Sequence, residues 1–109
     1  MQTVLEKIAS FAVHTDFDQI PADVAAVAKL GLTDFFACSL AGINAPVSKN
    51  ILNYLNIQGL KEGPCRLFGT SHSAGLKEAA LFNGVSSHCM DFDDVSWATI
   101  GHPSVSVAP

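Results

Sequence analysis

The run VAAVAKLGLTDFFACSLAG, residues 24–42, constrains the fold of this chain more than any other stretch. Its composition favours a helix, yet apolar side chains fall on nearly every face. An amphipathic surface helix shows one apolar stripe, whereas a helix apolar all round is buried in a core or spans a membrane. The run is long enough to cross a bilayer, but Lys29 and Asp34 lie inside it. A charge near the centre of a spanning helix costs roughly 2.5–3.5 kcal/mol on insertion scales. The sequence therefore predicts a central helix of a soluble core, with Gly31, Ala37, Ser39 and Ala41 small enough for neighbouring helices to approach closely.

A helix apolar on all sides needs more protein around it than a short chain supplies. The 109 residues make at most one domain, and only 15% of them are charged while 49% are hydrophobic. A typical soluble domain carries about 25% charged residues. A small chain, with its high surface-to-volume ratio, needs more polar surface and not less. The composition suits a piece of a larger core, or a subunit that buries much of its surface on a partner. The apolar ending SVSVAP points the same way, since chain termini are normally exposed.

Other segments read as helices around the central one. Val4, Leu5, Ile8, Ala9 and Ala12 have helical spacing over residues 3–13. Pro21 suits the first turn of the central helix. NILNYLNIQGL predicts a third helix ended by Gly59. CRLF in the Gly-, Pro- and Ser-rich stretch 61–75 suggests a short extended segment. Ser73 is placed to cap the run AGLKEAALFNGVSSH, which has good helix formers. Asn83-Gly84 inside that run is a hairpin-turn dipeptide and argues the other way. Four or five helices, with no repeat and no linker, make an all-α fold.

Charge and cysteines exclude several classes. The net charge is −4, with six Lys+Arg against ten Asp+Glu. No basic stripe supports nucleic-acid binding. Anionic substrates would need cations from elsewhere. Cys38, Cys65 and Cys89 are odd in number and widely spaced, which predicts reduced thiols in a cytoplasmic compartment. Glu6 and Lys7 stand where a secretory signal would be apolar.

The ionisable groups gather near the end, in NGVSSHCMDFDDVSWATIGHPS, residues 83–104. If 88–94 is helical, His88 faces Asp91 and Asp91 faces Asp94, each three residues apart. Asp93 and Asp94 would point in different directions. Carboxylates beside imidazoles can hold or pass a proton near neutral pH, as general acid–base chemistry requires. His102 precedes Pro103, which pushes it to an extended backbone and presents it from a loop. Two plainer readings stand beside this one. Asp93 or Asp94 could simply cap the next segment. Alternatively His88, Asp91, Asp93 and His102 could hold a metal, although neither H-E-x-x-H nor C-x-x-C is present. His14 and His72 read as ordinary loop histidines. Cys89, Ser86 and Ser87 lack the context of a nucleophile.

The residues AALFNGVSSHCMDFDD followed by GHPS resemble the MmgE/PrpD family, which includes 2-methylcitrate dehydratase and cis-aconitate decarboxylase. IPADVAAVAKLGLTDFFACSLAG and CRLFGTSHSAG are similar to the family's upstream segments, so the resemblance covers nearly the whole chain. It implies a protein of several hundred residues with a large helical domain and a smaller α/β domain, usually homodimeric and cytoplasmic. Residues 1–109 then form an incomplete, N-terminal part of the helical domain. The implied activity is that of a lyase of the 2-methylcitrate dehydratase type, a hydro-lyase of propionate catabolism, acting on a di- or tricarboxylic acid. Cis-aconitate decarboxylase-like and epimerase chemistry occur among its relatives. No metal and no organic cofactor are implied, nor any nucleic-acid or membrane partner. Asp91 and His102 match active-site positions of the decarboxylase. Ser96 is a substrate-binding candidate, because Val95 stands where the family's hydroxyl-bearing residue is expected. The substrate-binding lysines of the family have no match here, and Lys77 and Arg66 read as surface residues. The competing reading is a truncated, non-catalytic chain that only associates with a partner.

Overall fold

The computed structural model describes residues 2–98 and 100–109. Among them are five α-helices: α1 (Val4–His14), α2 (Ala22–Gly42), α3 (Pro46–Ile57), α4 (Leu76–His88) and α5 (Pro103–Val107). One antiparallel pair of two-residue strands, β1 (Cys65–Arg66) and β2 (Ser73–Ala74), lies between α3 and α4. The fold is all-α, as expected.

Each helix boundary has a local cause. α1 begins in a capping box, where the Glu6 N–H donates to Thr3 Oγ1 at 3.2 Å and the Thr3 N–H donates to Glu6 Oε2 at 2.8 Å. The reciprocal bonds satisfy two amides that a helix start would otherwise leave open. His14, read as a loop residue, is the last residue of α1. Pro21 sits just before α2, and Pro46 opens α3, where a missing N–H costs nothing. α3 stops at Ile57, just before Gly59. Ser73 does not cap α4: it pairs with Arg66 in the strand ladder, and Gly75 occupies the cap position.

α4 runs straight through the Asn83-Gly84 dipeptide because the Asn83 side chain has better partners than a turn provides. Its Oδ1 accepts from the Phe68 N–H at 3.0 Å and its Nδ2 donates to the Arg66 carbonyl at 3.1 Å. A buried amide thereby ties the strand loop to the helix. Around it Leu55, Leu67, Ala74, Ala79 and Phe82 form the core. Phe35 and Phe36 of α2 both pack edge-on against Phe68, with ring centroids 6.0 and 4.9 Å apart.

α2 is central only in its second half. Phe35, Cys38, Ser39 and Gly42 are buried, whereas Val24, Val27, Leu30 and Leu32 are exposed. The expectation of burial on every face therefore fails for residues 24–32. The described elements cover the helix mainly where α4 crosses it. At that crossing Gly42 is required, since a Cβ there would overlap the Ser86 carbonyl oxygen. α2 thus carries an apolar surface comparable to that of α1, which has no buried residue.

Candidate active site

The site grows from the place where α4 stops. The helix ends at His88, the Asp91 N–H donates to the His88 carbonyl at 2.9 Å, and Asp91 takes a left-handed backbone with φ 56°. Aspartate is among the few residues that adopt this conformation readily. The helical pairing of His88 with Asp91, and of Asp91 with Asp94, is therefore overturned. Residues 89–94 fold back, and the carboxylate that meets His88 is Asp93.

Asp93 organises the cluster. Its side chain is only 2% exposed, and His88 Nδ1 lies 2.9 and 3.1 Å from its two oxygens. His102 Nδ1 lies 3.3 Å from Oδ1 of the same carboxylate and 3.2 Å from the Asp93 carbonyl. A ring nitrogen that faces only acceptors donates, so each imidazole turns an Nδ1–H toward Asp93. The rings meet edge to face, with centroids 4.6 Å apart. His102 Nε2 in turn lies 3.5 Å from Asp91 Oδ1. Asp91 is 82% exposed at its side chain and His102 only 22%, so the pair spans from solvent to protein interior.

A second set of bonds fixes the loop that carries His102. Ser96 and Gly101 form a backbone bridge, with the Ser96 N–H donating to the Gly101 carbonyl at 2.9 Å. His102 follows with φ −103° and ψ 94°, the extended backbone expected before Pro103. Asp94 turns away from Asp93 and accepts from Ser104 N at 3.2 Å and Ser104 Oγ at 2.7 Å, anchoring the first turn of α5. Neither Asp93 nor Asp94 is the N-cap of α5, a position His102 holds; Asp94 bonds the first turn from outside the helix. The Asp94 N–H donates to Asp34 Oδ2 at 2.9 Å, which locks the loop to α2. Nearby, a Cβ on Gly31 would lie 3.0 Å from Ser104 Oγ, so α5 sits tight against α2 at that point.

The structure thus brings Asp91 and His102 together and adds His88 and Asp93. Ser96 enters through its backbone, and among the described residues its hydroxyl takes no part in the cluster. Lys77 and Arg66 are exposed and distinct from the cluster, as read from sequence. Asp34 and Ser104 were not foreseen. Asp34 did leave a signal, a lone carboxylate in an otherwise apolar stretch of helix. Among the described residues the ion pairs are those of the two histidines with Asp91 and Asp93. Among the described residues no lysine or arginine pairs with these carboxylates. The arrangement can move a proton at His102 Nε2, and it requires cations from elsewhere to hold an anionic substrate. Cys38, buried on α2 beside Asp34, has a thiol pushed up from its ordinary value, first by burial and then by the charge of Asp34.

The class of protein is set by a helical scaffold that holds a buried aspartate between two imidazoles. The model of the MmgE/PrpD N-terminal domain matches residues 6–109, and the chain belongs to the MmgE/PrpD family. It is 28% identical over 106 residues to the cis-aconitate decarboxylase-like protein oryM of Aspergillus oryzae, which covers 97% of this chain and 22% of that relative. The chain thus spans about a fifth of the length of the curated relative it matches. No solved structure matches it.

Proposed function

We propose that this chain carries one wall of the active site of a lyase that acts on a tricarboxylate-type acid in the manner of 2-methylcitrate dehydratase. The observation that carries the reading is the orientation of His102: Nδ1 anchored on Asp93 at 3.3 Å, Nε2 turned toward Asp91 at 3.5 Å. Dehydration of a β-hydroxy acid removes a carbon-bound proton and expels hydroxide, which leaves as water once protonated. His102 Nε2 is the group that takes the proton, and Asp91 faces the positive charge that then forms on the imidazole. His88 and Asp93 hold the ring in one tautomer and one position. The hydroxyl of Ser96 is a candidate contact for a substrate oxygen.

A cis-aconitate decarboxylase-like reaction is the second reading, favoured by the relative's name. The same nitrogen then works in the opposite direction. Loss of carbon dioxide leaves a carbanion, and His102 delivers the proton that quenches it. Either way the carboxylates of the substrate need cations that this segment does not place in the cluster. Further elements of a longer protein, working as a cytoplasmic homodimer, would supply them. Residues 1–109 are then part of its large helical domain, and the exposed face of α1 and α2 is surface that this domain covers.

The test uses the protein as its host produces it, incubated separately with 2-methylcitrate and cis-aconitate and followed by proton NMR. The expected result is a new vinyl or allylic resonance from one of the two acids. Folded protein that converts neither acid would sink the proposal.

A further inference from the structure

The His–Asp cluster has a second capacity that proton transfer does not use. One ligand atom each from His88, Asp91 and His102 lie within 4.8 Å of one another. Two imidazole nitrogens and one carboxylate oxygen form a donor set suited to zinc, nickel, cobalt or ferrous iron, and poorly suited to magnesium or calcium. We propose that these three residues bind a divalent transition metal of borderline softness, zinc in the first instance.

Three features carry the assignment. First, both imidazoles place Nδ1 on an outer carboxylate or carbonyl, as metal-ligating histidines do, which makes Nε2 the atom a metal would take. That outer carboxylate is Asp93, with 2% of its side chain exposed, so it is held in place by the fold. Second, tetrahedral zinc with bonds of about 2.0–2.2 Å sets its donors roughly 3.3–3.6 Å apart. The His102 Nε2 to Asp91 Oδ1 separation of 3.5 Å already meets this. Third, the remaining closure falls on the side chains freest to move, Asp91 at 82% and His88 at 47% exposure. A fourth position stays open to water or to an incoming carboxylate.

Metal binding stands apart from the catalytic reading, since it needs only these ligands. If both hold, the two compete. A metal on His102 consumes the Nε2 lone pair that proton transfer requires, so zinc inhibits turnover and a chelator restores it.

The test is calorimetric titration of the tag-free, metal-free protein, as its host produces it, with zinc chloride. One saturable site is expected, weakened at least tenfold by His88→Ala and by Asp91→Asn. The second substitution keeps a residue type that tolerates the left-handed backbone. Asp93→Asn should weaken binding by about 10- to 100-fold, the usual effect of removing an outer carboxylate. Cobalt in place of zinc should give the visible absorption of a four-coordinate site. Replacing His14 and His72 together should leave the affinity within twofold. No saturable binding would overturn the proposal. So would binding that survives both His88→Ala and Asp91→Asn, or that vanishes with His14 and His72.

Discussion

Replacing Asp93 with asparagine tests the organisation of the site without changing its shape. The parent carboxylate accepts from two imidazoles, at 2.9 and 3.1 Å from His88 and 3.3 Å from His102. Both imidazoles reach Oδ1, so an asparagine oxygen there accepts from each without a charge, while the N–H₂ in place of Oδ2 faces the His88 N–H. A hydrogen bond to a charged group contributes about 1.5–3 kcal/mol. His88 is half exposed, which reduces its share, so a net loss of about 2 kcal/mol in unfolding free energy is expected. Catalysis should suffer more selectively. His102 Nδ1 keeps the Asp93 carbonyl at 3.2 Å, so its tautomer retains one anchor. The expected fall in kcat is roughly 10- to 100-fold, up to the lower limit of the 10²–10⁴ that a positioned acid–base group contributes. The assay is kcat and KM against pH for Asp93→Asn and Asp93→Glu, beside a urea unfolding curve. A purely structural role would lower the amount of folded enzyme and leave the pH profile unmoved. A kcat within twofold of the parent, with the same profile, would refute the reasoning.

The remaining expectations concern the scaffold. Asn83→Ala leaves the Phe68 amide and the Arg66 carbonyl without their partner. At about 1 kcal/mol for each hydrogen bond, more where a buried group stays unpaired, urea unfolding should show a loss of about 2–3 kcal/mol. Cys38 should be the slowest of the three thiols to react with iodoacetamide, because burial and then Asp34 favour its protonated form. The sign follows: a thiol whose folded value is raised stabilises the fold fully below its unfolded value. That contribution is lost as pH rises above the ordinary 9.0, and unfolding curves collected from pH 8 upward should show it.

How much of this was legible in the sequence depended on how local the cause was. α1 and α3 follow from apolar spacing and their first-turn signals. α4 could be read from its helix formers, and the Asn83-Gly84 dipeptide misled only because the partners of Asn83 lie 15 and 17 residues away. The stop at His88 was not legible. Cys89 and Met90 are no stop signal, and the reversal is held by Asp93 reaching back to His88. The all-round apolarity of α2 was plain, but among the described residues its first half stays largely exposed. Asp34 was visible as a charge out of place, yet its partner Asp94 lies 60 residues on. The choice of Asp91 and His102 came from family resemblance, and the anchoring role of Asp93 came from the fold alone.

The most direct test of the central claim is turnover by His102→Ala in the protein as its host produces it, on whichever acid the parent converts. In the proposed mechanism Nε2 exchanges a proton with carbon, so its loss should lower kcat by at least about 10²-fold. Circular dichroism should stay unchanged, since the ring is partly exposed and its backbone is fixed by Pro103 and the Ser96–Gly101 bridge. A folded variant that turns over at the parent's rate would contradict the account.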